Sequence, residues 1–363
     1  MSKKTPNPLG TINTSRVIYP IIIGLGVVAY MFYHEFDPDA FSVIDFTWYS
    51  ALFLLAALGM MAIRDIGYMI RIKILTGNDL SWRKAFRIIM LWEFTSAITP
   101  SSIGGTSVAI LFVNKEGISL GRSSAVVMAT SFLDELYFLI MFPLLFLVVS
   151  GEQLFTIGNP ASGSHSLSFT NEFFYFAVIG YGLKLVYTLI VSYGLFINPR
   201  GLKWLLLWIF RLPWLRRWKH DANEAGTEII SSSTELKNKS LLFWIKAFGA
   251  TFISWTARYW VVNVLLLAFF TVHDHFLIFA RQLVMWIMML VSPTPGGSGF
   301  AEFVFTRYLG EFIPVPAIHV AAVAVAMALI WRLISYYPYL IMGVFILPKW
   351  IKEKFGTNNL NTK

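Results

Sequence analysis

Apolar residues along this chain fall in long unbroken runs, not at every third or fourth position and not at every second. The runs lie at about 17–33, 48–72, 122–149, 172–197, 241–270 and 315–346. An amphipathic helix on a soluble core would carry a polar stripe through each of them; their absence is the mark of helices with lipid on several sides. At about 1.5 Å per residue, each run is long enough to cross a hydrocarbon core of about 30 Å, the first being the shortest. Two more apolar stretches, 88–113 and 279–309, are interrupted by proline and glycine.

The charges between the runs decide which of them cross. Lys3, Lys4 and Arg16 precede the first run, and the loop after it holds Glu35, Asp37, Asp39 and Asp45 without a lysine or arginine. Arg71, Lys73, Arg83, Lys84 and Arg87 follow the second run, and Lys115 and Arg122 flank the next connection. Residues 150–171 carry no basic residue, 198–240 carries eight, 271–275 none, and the tail has Lys349, Lys352, Lys354 and Lys363. Basic residues remain on the cytoplasmic side. Both termini are then cytoplasmic, and 88–113 enters and leaves on that side. The 279–309 stretch starts and ends on the other side, with Glu311 set against Arg281 and Arg307. The expectation is an all-α integral membrane protein of about six transmembrane helices plus two re-entrant broken helices in an inverted repeat. Its half-repeats would be about 17–149 and 172–346, within a single domain spanning 1–363, and such proteins bind substrate near the midplane. Eight ordinary spans are the competing reading; the interruptions favour the hairpins.

Composition agrees. The 363 residues are 56% hydrophobic and 13% charged, against about 25% charged in soluble domains. Thirteen tryptophans and fifteen tyrosines suit two interfaces. With no cysteine, disulfides, thiolate metal sites and cysteine nucleophiles are excluded. The net charge of +9 sits in short loops, where it reads as topology signal and headgroup contact, not nucleic-acid binding. The run after the basic Met1–Arg16 segment lacks a small-residue cleavage site, so it is expected to be a retained span. Trp204, Trp208, Trp214 and Trp218, interleaved with Lys203, Arg211, Arg216, Arg217 and Lys219, make 200–240 a cytoplasmic amphipathic connector.

The first interrupted stretch contains Thr99-Pro100-Ser101-Ser102-Ile103-Gly104-Gly105, the second Pro293-Thr294-Pro295-Gly296-Gly297-Ser298-Gly299. Each couples a Thr-Pro step to Gly-Gly at a matching place in its half. Proline removes a donor and glycine tolerates strained backbone; in a bilayer, broken backbone survives only when buried in protein or beside a wet cavity. A break also creates a new helix N-terminus with unpaired amides and partial positive charge. Two such ends converging from opposite leaflets would cradle a phosphate. Packing kinks, with glycines for close helix approach, are the alternative.

These motifs resemble the transmembrane region of lysylphosphatidylglycerol synthases, the flippase-like or multiple-peptide-resistance-factor type of membrane protein. The resemblance rests on Pro100 with Gly104-Gly105, Lys115-Glu116-Gly117-Ile118-Ser119 leading to Ala125, Asp134, Pro293 to Gly299 with Glu302, and Trp331-Arg332. It runs across nearly the whole chain and implies translocation of a phospholipid, often aminoacylated, between leaflets. Two departures stand out: Ser131-Phe132-Leu133 precede Asp134 where the family usually has an arginine, and Gly104-Gly105-Thr106 replaces an early Gly-Glu-like step. No soluble synthase domain is expected, since the last run ends about 17 residues before the end of the sequence.

Glu93, Asp134, Glu135, Glu302, Arg64, Asp65, Lys184, Arg258, Arg307 and Arg332 fall inside or beside apolar runs. Each costs about 2.5–3.5 kcal/mol at a helix centre on insertion scales, so unpaired lipid-facing placement is excluded. Arg64 and Lys184 are expected to snorkel or to pair with neighbours such as Asp65. The candidate lipid-headgroup site is Glu93, Pro100, Ser101, Gly104, Gly105, Asp134, Arg258, Pro295, Gly296, Gly297, Glu302 and Arg332, with arginine holding phosphate and acid holding any amine. Salt bridges that merely hold the bundle are the rival reading. No catalytic residue, metal or cofactor is expected: His273, Asp274 and His275 read as a polar turn, and no hydrolase elbow or nucleotide loop is present. The favoured function is transbilayer movement of a phospholipid or related anionic lipid at a cell membrane of the bacterial inner-membrane kind. The expected partners are anionic phospholipids, with a homo-oligomer or a lipid-biosynthetic enzyme also compatible. A membrane-embedded lipid-modifying transferase, or an accessory to a glycosyltransferase, are the alternatives.

Overall fold

The computed structural model describes residues 44–99, 102–157, 168–169, 171–212, 216, 219–289, 297 and 299–355. The run expected at 17–33 lies outside these residues, as do Pro100, Ser101, Pro295, Gly296, Trp214 and Trp218.

The helices begin where the sequence supplies caps. α1 (Trp48–Leu75) opens on a capping box between Thr47 and Ser50. α2 (Trp82–Ile98) is capped by Ser81, whose hydroxyl accepts from the Lys84 amide. α3 (Ser102–Lys115), α4 (Leu120–Val148) and the short α5 (Gly151–Phe155) complete the first half. Thr156–Ile157 and Ser168–Phe169 pair as a two-residue antiparallel ladder. α6 (Asn171–Ser192) runs into a π turn, and α7 (Pro199–Ile209) has Pro199 at its start and Asn198 as its cap. The polar α8 (Lys219–Leu236) packs on α7 and on α4. α9 (Leu241–Leu267), capped by Ser240, is followed by α10 (His275–Met289), α11 (Phe300–Leu309), α12 (Ala317–Ser335) and α13 (Tyr337–Phe355).

Among the described residues, five segments are long and apolar enough to cross a membrane: Trp48–Leu75, Leu120–Val148, Ala177–Ile197, Leu241–Leu267 and Ala317–Phe355. Their outward positions are apolar too. Leu55, Ile63 and Ile66 of α1, Leu183 and Leu189 of α6, and Ile245 and Ile253 of α9 are all exposed, as helices bathed in hydrocarbon require.

One expected span is two helices. Ala317–Phe355 is 39 residues, about 58 Å if straight, nearly twice a hydrocarbon core. The chain breaks at Tyr336, which leaves helical geometry at φ −129° and ψ −56°. Pro338 follows in the first turn of α13, the one turn where its missing N–H costs nothing. α13 then packs along α2.

The same pairings recur in both halves. The hairpins α2–α3 and α10–α11 each pack on the helix that follows, α4 and α12 respectively. α13 lies on α2, and α5 on α10. The central helices cross-pack, α1 against α12 and α9 against α4, and α1 and α9 share the most extensive contact in the molecule. That contact depends on Gly67: a Cβ there would overlap the Ser254 side chain and press on the Ala250 carbonyl. Ser254 Oγ donates to the Arg64 carbonyl at 3.0 Å across the crossing.

Candidate functional site

Arg64, Tyr68 and Arg71 lie at i, i+4 and i+7 of α1, one face of the helix. That face does not meet lipid. Together with α2, α4, α9, α10, α12 and the start of α13 it encloses a cavity of ≈ 310 Å³. The placement corrects one expectation and decides another between its two alternatives. Arg71 is not a loop charge after the second span but a buried residue within α1. Of the two expectations for Arg64, the structure has the pairing with Asp65 and not the snorkelling: the side chain is 1% exposed.

Each buried charge is answered. Arg64 pairs with Glu93 of α2 at 2.5 Å and with Asp65 at 2.9 Å, and Tyr339 of α13 donates to Asp65. Arg71 meets Asp134 of α4 at 2.5 Å and Thr251 Oγ1 at 3.2 Å. Trp255 Nε1 donates to the same Asp134 oxygen at 2.6 Å. Asp134 therefore has an arginine after all, brought by a different helix from 63 positions earlier. On the far wall Arg332 Nε donates to Glu302 at 2.8 Å, with the two side chains only 5% and 4% exposed. The other Glu302 oxygen accepts from the Gly299 amide at 2.6 Å, capping α11.

Arg258 differs. It lines the cavity, its guanidinium lies 5.6 Å from the Trp255 ring and 5.4 Å from the Trp286 ring, and no carboxylate reaches it among the described residues. Indole faces hold a cation without cancelling its charge. Beside it, the Thr130 and Tyr259 hydroxyls and Arg64 Nε line the same cavity buried and without a hydrogen-bond partner. Buried polar atoms are nearly always satisfied, so three orphans lining one cavity stand out.

Of the expected site, Glu93, Asp134, Arg258, Gly297 and Arg332 line the cavity, and Glu302 stands directly behind Arg332. Gly297 and Gly299 have φ of +68° and +84°, conformations that L side chains avoid. Gly104 and Gly105 lie inside α3; Gly105 is not among the residues lining the cavity, and a Cβ there would strike Ser96 of α2, so this glycine lets the hairpin arms touch. Sequence reasoning missed Tyr68, Arg71, Thr130, Trp255 and Tyr259, and weighed Arg64 only as a snorkelling or locally paired charge. The helical spacing of Arg64, Tyr68 and Arg71 was the available signal.

Two further clusters lie away from the cavity. Glu116, just after α3, accepts from Arg87 at 2.7 Å, from Lys354 at 3.0 Å and from Trp350 Nε1 at 3.0 Å. Arg281 of α10, 1% exposed, pairs with Glu311 at 2.6 Å and donates to the carbonyls of Gln153 and Tyr308. Lys184 of α6 pairs with Glu135 at 2.5 Å.

The family described as lysylphosphatidylglycerol synthase TM region matches residues 17–343. Over 356 residues the chain is 26% identical to a protein described as a UPF0104 membrane protein of Archaeoglobus fulgidus, covering 94% of this chain and 99% of that relative. No solved structure matches it.

Proposed function

The chain belongs to the lysylphosphatidylglycerol synthase TM region family, and from that premise we propose that this multi-pass membrane protein moves a phosphate-bearing lipid from one leaflet to the other without a chemical step. The observation that carries the reading is the unanswered cation: a cavity of ≈ 310 Å³ holds Arg258 on two indole faces, beside three buried polar groups with no partner. A guanidinium donates bidentately to a phosphate diester, and the orphan hydroxyls of Thr130 and Tyr259 would complete the seat. Any amine on the headgroup would meet Glu93, the cavity-lining carboxylate that pairs with Arg64.

The recurrence of the same pairings in both halves supports the inverted repeat, with α2–α3 and α10–α11 dipping in from opposite faces and both termini cytoplasmic. In that arrangement the Glu116 cluster closes one side of the cavity and the Arg281 cluster the other. Opening them alternately would expose Arg258 to each leaflet in turn. The setting is a cell membrane and the partners are its phospholipids.

Liposomes carrying the protein and a leaflet-sensitive labelled phospholipid test this. Labelled headgroups should cross faster than in empty liposomes. A charge-assisted hydrogen bond contributes about 1.5–3 kcal/mol, so Arg258→Ala should slow crossing roughly 10- to 100-fold while the protein still folds. Appearance of a modified lipid would instead identify a transferase using Glu93, Asp134 or Glu302 as base. Neither crossing nor product would identify an accessory to another enzyme.

A further inference from the structure

The opposite face of the α1–α9 crossing carries a second site. There the two helices leave an apolar groove of ≈ 400 Å³, lined on α1 by Ile63, Ile66, Ile70 and Ile74 and on α9 by Gly249 and Ile253. Gly67 against Ser254 closes its floor, so the groove opens outward, away from the charged cavity. Ile63, Ile66, Ile70 and Ile253 are exposed along it. Among the described residues, nothing lies within 4 Å of a Cβ built on Gly249.

Its length and its single charge name the occupant. From Ile63 to Ile74 the groove runs 11 residues of helix, about 16 Å at 1.5 Å per residue, which is half of a hydrocarbon core of about 30 Å. Lys246 stands at one end, exposed on the second turn of α9, with no acidic partner among the described residues. That end adjoins the C-terminus of α1, which carries Lys73, and the polar α8. It therefore lies at headgroup depth, where a lysine ammonium meets lipid phosphate.

We infer that this groove binds one acyl chain of an anionic glycerophospholipid from the leaflet on the Lys246 side, with Lys246 on its phosphate. The seat is outside the transport cavity and holds whether or not lipid crosses. α1 and α9 alone separate the two, so a lipid here is one helix layer from Arg258.

Native mass spectrometry of the purified protein, exchanged into phosphatidylglycerol or phosphatidylcholine, tests the assignment. Wild type should retain one more phosphatidylglycerol than phosphatidylcholine. Lys246→Gln should abolish that preference. Gly249→Trp, whose side chain would occupy the groove, should expel the retained lipid of either kind, whereas Arg258→Ala should leave it in place. Retention unchanged in both groove variants would overturn the inference. So would loss in Arg258→Ala alone, which would place the retained lipid in the cavity. A dimer that dissociates in Gly249→Trp without change in lipid count would overturn it too, by making a second copy the occupant.

Discussion

Arginines govern the interior, and among the described residues partner geometry separates those paired with carboxylates from Arg258, which rests on two indole rings. Arg332 and Glu302 are both almost fully buried and face each other at 2.8 Å. Removing one partner of such a pair strands the other and costs about 3–5 kcal/mol, while replacing both by apolar residues of similar size is often near neutral. Arg332→Met should thus unfold markedly more easily than wild type in a detergent thermal melt. The Arg332→Met/Glu302→Met double variant should recover most of the loss. Arg258→Ala should melt close to wild type, because it leaves no buried acid unpaired. The sequence made Glu93, Asp134, Glu302 and Arg332 visible, because a charge in an apolar run is conspicuous. It hid Arg71, because that residue sits at the end of its run and resembles a flanking loop charge. Its partner is 63 positions away, a relation no local pattern carries.

Among the elements, glycines decide how closely helices approach. Gly343 of α13 sits against Phe94 of α2, and a Cβ there would fall on the ring. Overpacking of this kind costs about 1–3 kcal/mol. Gly343→Leu should lower stability by that amount in the same melt and loosen α13 from the first hairpin. Gly249→Leu provides the contrast: a Cβ there meets none of the described residues within 4 Å and the change removes a helix-interior glycine, so stability should hold or rise by about 0.5–1 kcal/mol. The interruptions at 88–113 and 279–309 were legible from proline and glycine alone. The break at Tyr336 was not, because the apolar run continues through it and only Pro338 marks the second helix.

At the scale of the whole molecule, the absence of cysteine makes single introduced thiols unambiguous reporters. Ser119 and Ala317 occupy corresponding places, each exposed just ahead of or at the start of the helix that follows a hairpin. If the halves are inverted, Ser119→Cys and Ala317→Cys should react with a membrane-impermeant maleimide from opposite sides of sealed vesicles. Reaction from the same side would remove the basis for alternating exposure of the cavity. The expectation of inversion comes from the loop charges alone. They say nothing about which helices touch, and the back-to-back placement of cavity and groove on α1 and α9 follows only from the packing.

The pairing of Arg71 with Asp134 also bears on how the protein is made. α1 reaches the translocon carrying Arg64 and Arg71, and Asp65 can answer only the first of them until later helices arrive. An unanswered arginine opposes release into lipid by about 2.5–3.5 kcal/mol at a helix centre and by less toward its end, where Arg71 stands. Arg71 of the nascent α1 gains its carboxylate only when α4 has been synthesised and supplies Asp134. A chain stalled before residue 134 leaves the ribosome should be extracted at alkaline pH more readily than one stalled after α4 has emerged.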